Sequence, residues 1–552
     1  MAFQDLLDQV GSLGRFQVLQ TAFFCVCILI VYPHMLLENF TAAIPGHRCW
    51  VHILDNDTVS ANGTEILSQD ALLRISIPLD SNSKPEKSRR FLHPQWQFLH
   101  MNGTFPNMSE PDTEPCVDGW VYDQSSFPST IATEWDLVCE SQSLISVAQS
   151  LFMAAQLLGA LIFGHLSDRF GRKMVFRWCL LKFAVVNTCA TFAPTFLVYC
   201  SLHFLGGMCI ITIVANCFII MSEWTGPKSI ALMAGIIINF CSVGQTLLGG
   251  LAFAIRDWRT LQLTMSIPFF VIFLTAEWLV ESAQWLIVTH QLDEGLKELR
   301  RVADINGKKD AGETLTIEFV KSTMREELDA SQTKASLIHL FRTPKLHLRV
   351  CCLCFVRMAT SLPFFGLLLN LQHLGSNIFL FQIIFGAVTF AIRCAVLLTM
   401  NHMGRRMSQM LSSFLVGISI LVNTFLSQEM QTLRVALAAL GIGAATVALT
   451  FSSIHHIELS PTVIRSIAGG VNAMFSRIGG ALAPLLVILR VYSPHLPWIL
   501  YGAFPILAGL VVLFLPETRN QPIPNTIQDV ENNRRVSRET KQKDISMKVT
   551  QF

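Results

Sequence analysis

The chain alternates long apolar runs with polar loops, and the spacing of those runs predicts the fold. Phe16–Leu37 carries no Asp, Glu, Lys or Arg. Its length matches the roughly 20 residues a helix needs to cross a bilayer. It is too long for a signal-peptide core and lacks a cleavage site, so it is predicted as a retained first helix. Apolar segments recur at 144–166, 174–194, 196–221, 231–254 and 261–280, and again at 348–370, 376–400, 408–427, 434–456, 464–489 and 495–515. The prediction is an all-α membrane protein of twelve spanning helices in two six-helix halves. Residues 1–15 form a short polar N-terminus. Residues 38–143 form a polar insert between helices 1 and 2, and 144–280 hold helices 2–6. Residues 281–346 form a charged linker in which Leu296–Val302 and Glu318–Leu328 have amphipathic helical spacing. Residues 347–515 hold helices 7–12. The tail, 516–552, is polar and predicted to be disordered.

Composition agrees. The 552 residues are 51% hydrophobic and 14% charged, with a mean hydropathy of +0.47. A net charge of +2 argues against a nucleic-acid partner. The sequence contains no Walker loop, HExxH, GxSxG or dinucleotide fingerprint, so neither an enzyme nor a cofactor or catalytic metal is expected. Most of the fifteen cysteines fall in apolar runs and read as small core residues. The insert carries Asn-x-Ser/Thr at Asn39, Asn56, Asn62, Asn102 and Asn107, which predicts a glycosylated, extracellular loop. It also holds Cys49, Cys116 and Cys139, an odd number for an oxidising compartment. Tryptophans 50, 96, 120 and 135 are expected to give it a small core.

The segment Gly164-His-Leu-Ser-Asp168-Arg169-Phe-Gly171-Arg172-Lys173 crowds basic residues between two apolar runs. By the positive-inside rule the loop is cytoplasmic. Gly164 is expected to allow close helix approach and Gly171 a tight turn. The pattern G-x-x-x-D-R-x-G-R-K resembles the signature loop of the major facilitator superfamily, between its second and third helices. A weaker echo, Asn401-His-Met-Gly404-Arg405-Arg406, stands at the equivalent place in the second half. The resemblance implies two halves related by an axis along the membrane normal, with substrate held between them.

Further segments narrow the resemblance. Met-Ala-Phe-Gln-Asp-Leu-Leu at the start, Glu38-Asn-Phe-Thr-Ala-Ala-Ile-Pro-Gly-His-Arg-Cys49, Thr133-Glu-Trp-Asp-Leu-Val-Cys139, Pro461-Thr-Val-Ile-Arg465 and Leu515-Pro-Glu-Thr518 resemble the organic anion transporter branch of the solute carrier organic ion transporter family. Within it the chain is most similar to the subgroup handling steroid sulfates, steroid glucuronides and bile acids. The resemblance implies exchange of such anions for a dicarboxylate at a plasma membrane, apical in an epithelium such as kidney tubule. It also implies a Cys49–Cys116 disulfide, since relatives carry a fourth cysteine where this chain has Ser88; Cys139 is then left without a partner. Facilitated uniport, or a non-transporting receptor or scaffold on the same fold, are the alternatives. The final Val549-Thr-Gln-Phe552 has the form of a PDZ-domain ligand.

Arg357, Arg393 and Arg477 lie deep inside apolar runs. An arginine at membrane depth costs several kcal/mol unless it faces water or a partner, so each is a candidate anion contact. Arg393 and Arg477 coincide with cavity cations of the resembled transporters, whereas Arg357 replaces an aromatic residue. Phe364 and Phe365 follow Arg357 on its helical face, and Phe385 and Thr389 precede Arg393. Gly470, Ala473 and Gly480 flank Arg477 and are expected to leave space. By resemblance Met35, Met153, Asn216, Asn239, Cys241, Leu449 and Ser453 also line the cavity, making it wide and aliphatic. His34, His455 and His456 are read as hydrogen-bonding core residues rather than a proton relay. The predicted cytoplasmic gate comprises Asp168, Arg169, Arg172, Glu223, Glu281, Arg405, Arg406, Glu458 and Arg465. Three arginines of the family's gate are replaced here by Ile230, His203 and Gln284. Asp168, Glu223 and Glu281 are therefore expected to lack partners, which would loosen the gate and keeps the receptor alternative open.

Overall fold

A computed structural model describes residues 2–55, 68–80, 84–99, 111–325, 344–375, 377–399, 402–427, 429–461, 464–519, 521 and 524. Asn56, Asn62, Asn102, Asn107 and the C-terminal Val549–Phe552 lie outside them. Twelve long apolar helices follow in the expected order. In the first half they are α1 (Arg15–Val31), α2 (Ser143–Phe170), α3 (Arg172–Thr191), α4 (Phe196–Trp224), α5 (Pro227–Ala254) and α6 (Trp258–Thr275). In the second half they are α7 (Pro344–Leu369), α8 (Ile378–Thr399), α9 (Arg405–Phe425), α10 (Gln431–Leu459), α11 (Arg465–Val487) and α12 (Leu496–Val512). Among the described residues eleven spans are long and apolar enough to cross a membrane, the first of them running on from α1 to Thr41, and α12, at 17 residues, reaches about 26 Å at 1.5 Å per residue. Outward faces carry bare apolar side chains such as Leu197, Leu274, Leu398 and Phe425, at 69–80% exposure. Side chains of that kind suit a lipid surface.

The first span does not run unbroken to Leu37. Pro33 has no N–H to give, and the chain tightens into a 3₁₀ turn over Tyr32–Met35 before a short helix at Glu38–Thr41. Close helix contacts use small residues. A Cβ on Gly386 of α8 would stand 2.2 Å from Thr246 Oγ1 of α5, and one on Gly479 of α11 would stand 2.3 Å from Ser361 Oγ of α7. Gly171 turns the α2–α3 corner at φ +99°, a conformation that needs glycine. Gly164 is not a contact point, because nothing lies within 4 Å of its would-be Cβ.

The two halves pack along α5 and α8 and are joined again at the end from which the 38–143 insert departs. There Asn39 Nδ2 donates to Leu368 O of α7 at 2.7 Å, and Ser150 Oγ of α2 donates to Ala481 O of α11 at 2.9 Å. Asn39 is only 3% exposed. Its amide is therefore spent on holding the short Glu38–Thr41 helix to α7 and offers no glycan acceptor in this conformation, contrary to expectation. Nearer the opposite end, Gly164 of α2 and Gly470 of α11 both face open space.

The N-terminus is not merely polar. Ala2–Val10 is an amphipathic helix that buries Phe3, Leu6, Leu7 and Val10. It packs on the linker helix Leu292–Ile305, which buries Leu296, Leu299 and Val302. Asn306 clamps the junction: it accepts from Phe16 N at 2.9 Å and donates to Val10 O and Gly11 O at 3.2 Å. A second linker helix spans Ile317–Thr323, and residues 326–328 of the predicted Glu318–Leu328 segment lie outside the described residues.

Residues 40–145, with 255–261, form a separate compact unit. It holds two antiparallel ladders. β1 (His47–Cys49) pairs with β4 (Trp120–Tyr122), and β2 (Arg89–Phe91) pairs with β3 (Thr113–Pro115). Its tryptophans do not make the core. Trp96 is half exposed and 50, 120 and 135 only part-buried, while Cys49, Ile75, Ile77, Ile131, Leu137 and Val138 are buried. A unit this small leans on cross-links. Cys49 and Cys116 form a disulfide. Arg48 grips Asp55 through two bonds of 2.7 and 2.6 Å, and Arg90 reaches Glu114, Asp118 and Trp50 O. Burial opposes the charge on Asp55, but the Arg48 guanidinium and the Val51 N–H hold its carboxyl below the usual range. Cys139 is a free thiol, 3.7 Å from His47 Nε2, and burial pushes its ionisation up. Peptide mapping without reduction should recover Cys49 joined to Cys116 and Cys139 alkylatable; a Cys49–Cys139 peptide would overturn this pairing.

Candidate functional site

Three helices of the second half each present one arginine to the interior. Arg357 of α7 donates Nη1–H to Leu449 O and to Ser453 Oγ of α10, both at 2.8 Å. Arg393 of α8 donates to Ile238 O at 2.9 Å and Ser242 Oγ at 2.7 Å, both on α5. Arg477 of α11 donates to Gln156 Oε1 of α2 at 2.9 Å. Tyr32, in the 3₁₀ turn after α1, lies within hydrogen-bonding reach of Arg393 and within electrostatic reach of Arg477. Arg357 and Arg477 are close enough to repel one another. All four side chains are half-buried.

The acceptors are all neutral. Among the described residues no Asp or Glu pairs with Arg357, Arg393 or Arg477. Like charges such as Arg357 and Arg477, held within repelling distance without a counter-ion, are unfavourable in a low-dielectric interior. An entering anion would relieve that cost through charge-assisted bonds, which are about twice as strong as neutral ones.

The other expected lining residues divide. Ala473 and Gly470 stand on the exposed face of α11 with Arg477. Leu449 and Ser453 hold Arg357 rather than forming a passive wall. Phe364 and Phe365 are buried at 6% and 9%. Phe365 lies 3.1 Å from the would-be Cβ of Gly480, so it fills the space that glycine was expected to leave. Met35, Met153, Asn239 and Cys241 are buried, and Phe385 is fully so. Asn239 bonds to Gly235 O within α5, Asn216 to Thr212 O within α4, and Thr389 to Phe385 O within α8. His34 Nε2 lies 3.0 Å from Met265 O, with its ring edge-on to Phe183 and Phe269. His455 bridges Gln409 and Pro516 O at 2.9 Å each. These are the structural roles expected of the histidines.

The loop ends of the two halves repeat one device. In the first half Glu281 accepts from the N–H groups of Arg172 and Lys173 at the start of α3. In the second, Glu517 accepts from Arg405 and Arg406 at the start of α9. Both carboxylates sit on the positive end of a helix dipole. Burial opposes the charge on Glu517, but the backbone donors prevail and hold its carboxyl below the usual range. Arg172 pairs with Asp168 at 2.7 Å and Glu223 at 3.6 Å, as Arg405 pairs with Glu458 at 3.1 Å. Arg169 lies over the Phe170 ring and Arg465 donates to Ser460 O.

This corrects the expected loss of partners at the gate. Asp168 and Glu223 share Arg172, and Glu281 is satisfied by backbone donors that no side-chain substitution removes. His203 lies at the other end of α4, 2.9 Å from the buried Glu38 and stacked between Phe152 and Tyr199. It takes no part in this network. The expected tail likewise begins in order, with Glu517 and Thr518 bonded to the second half.

Tyr32, Gln156 and Ser242 were not singled out from the sequence. Each is an uncharged polar residue in an apolar run, a signal shared by many structural Ser, Thr and Asn residues of these helices.

The family model of the Major Facilitator Superfamily matches residues 124–484. "Steroid transmembrane transporter SLC22A24" of Equus caballus is 78% identical over the whole of both chains, and that of Homo sapiens 64%. "Solute carrier family 22 member 10" of Homo sapiens is 59% identical over 97% of this chain and 99% of its own length. The chain belongs to the Major Facilitator Superfamily and, within it, to solute carrier family 22, which corrects the branch name the sequence motifs suggested. It is a multi-pass membrane transporter and not an enzyme. A partially occluded inward-open structure of the E. coli xylose transporter XylE shares the fold at TM-score 0.55 and 15% identity, over 69% of this chain and 89% of that one.

Glu281→Ala and Glu517→Ala should each destabilise the transporter by about 1.5–3 kcal/mol, the usual worth of bonds to a charged group. Melting curves of the detergent-solubilised protein will read this as a lowered Tm. An unchanged Tm in both variants would remove the capping role.

Proposed function

We propose that the protein is an organic anion exchanger that carries steroid sulfates, steroid glucuronides and bile acids against intracellular dicarboxylates by alternating access. The observation that carries this is the set of Arg357, Arg393 and Arg477, half-buried and, among the described residues, bonded only to neutral acceptors. Such a cluster offers cationic groups to one end of an amphipathic ligand. The apolar residues around it suit a steroid body. The names of the similar proteins, which call them steroid transmembrane transporters, agree with that substrate class.

In this reading the insert is extracellular, both termini are cytoplasmic, and the protein lies in a plasma membrane, apical in an epithelium. The present conformation, joined at the insert end and open at Gly164 and Gly470, is then inward-facing. Bile acids, steroid conjugates and dicarboxylates are the small-molecule partners, and a PDZ protein at Val549–Phe552 is a further one.

Cells preloaded with glutarate should take up labelled steroid glucuronide faster than unloaded cells; equal rates would replace exchange with uniport. Arg393→Ala and Arg477→Ala should each cost roughly 1.5–3 kcal/mol of binding, about one to two decades of apparent affinity, with surface abundance retained. Arg→Lys should rescue only in part, because an ammonium lacks the planar fork. Arg357→Phe should shift preference toward smaller aromatic acids. Uptake normalised to surface-biotinylated protein measures each; full estrone sulfate uptake by both alanine variants would refute the anion-binding cluster.

A further inference from the structure

Two of the three arginines bridge the halves, and the third does not. Arg357 spends its bonds within the second half, on α10. Arg477 reaches across to α2 and Arg393 across to α5. A bond that joins the halves at mid-membrane has to break or re-form each time they rock past one another.

Gln156 is the unusual member of these links. It is fully buried, at 0% exposure, in the apolar run Met153-Ala-Ala-Gln-Leu-Leu. Its oxygen accepts from Arg477. Its amide nitrogen donates to Met153 Sδ at 3.3 Å, and a thioether is a weak acceptor. The amide is thus held firmly at one end only, by the cation. Its carbonyl presents to the guanidinium what a carboxylate or sulfate oxygen would present, without the charge.

We propose that Gln156 is a built-in stand-in for the substrate's anionic group. It occupies Arg477 while the carrier is empty and is displaced when an anion binds. This rests on the anion-binding reading of Arg477 given above. The amide oxygen spares the buried guanidinium an empty site, but it yields to an anion because charge-assisted bonds are stronger. Displacement breaks this α2–α11 bond at the moment of loading and leaves the one from Ser150 Oγ to Ala481 O. Gln156 therefore sets how tightly an anion must bind before the halves are released. It is a positioning residue that acts through Arg477.

The substitution Gln156→Glu gives Arg477 a permanent carboxylate of nearly the same shape. The variant should reach the surface and melt at a higher temperature when empty. It should lose the stabilisation that saturating estrone sulfate gives the native transporter, and its apparent affinity should fall at least about tenfold. Gln156→Leu removes the competitor, so its apparent affinity should match or exceed that of the native protein. A merely structural glutamine would instead make both variants melt lower and transport less. If Arg477→Ala weakens uptake but Gln156→Glu leaves affinity and the ligand-induced Tm shift intact, the stand-in is wrong and the anion-binding reading survives. If Arg477→Ala has no effect, that reading fails first.

Discussion

The cost of keeping guanidinium groups in a low-dielectric interior shapes this transporter. Each of the three arginines has found a neutral acceptor, and none of them a carboxylate, among the described residues. Neutral acceptors satisfy N–H geometry without cancelling charge, which in the proposed reading leaves a positive potential for a mobile anion. A fixed acid at this depth would have removed both the cost and the attraction. Two of the arginines find acceptors on the opposite half, so in that reading binding and conformational change share the same bonds.

Around that centre the fold is stiffened by means independent of it. Each half braces the loop between its second and third helices by placing a carboxylate, Glu281 or Glu517, on a helix N-terminus, and each holds an arginine, Arg172 or Arg405, against the acid that ends its fourth helix. Two halves with the same internal bracing can move as rigid bodies. The Asn306 clamp attaches the N-terminal arm and the start of α1 to the linker, which ties the first half to the segment that follows it. Small residues on α5, α8, α7 and α11 let backbones approach where no charged bond would be affordable.

The membrane architecture was legible in the chain because its cause is local. A spanning helix must satisfy its backbone within itself and be apolar over bilayer length, and both demands leave a mark on contiguous residues. The same holds for the basic loop at Arg169–Lys173 and for the three intramembrane arginines, which stand out because charge is rare there. Where the sequence misled, pairing was the reason. Counting arginines at fixed offsets suggested orphan acids, but Arg172 serves two of them and backbone N–H groups serve the third.

By itself, then, the sequence determined the number and order of the helices, the two-half organisation and the cationic character of the interior. Tertiary structure alone decided which arginines cross between halves, that Phe365 fills the hollow over Gly480, that Asn39 is consumed at the contact with α7, and that Gln156 meets Arg477. Hydropathy is summed along the chain, whereas these contacts join residues up to 329 positions apart. Their partners are fixed only when helices of both halves pack against one another.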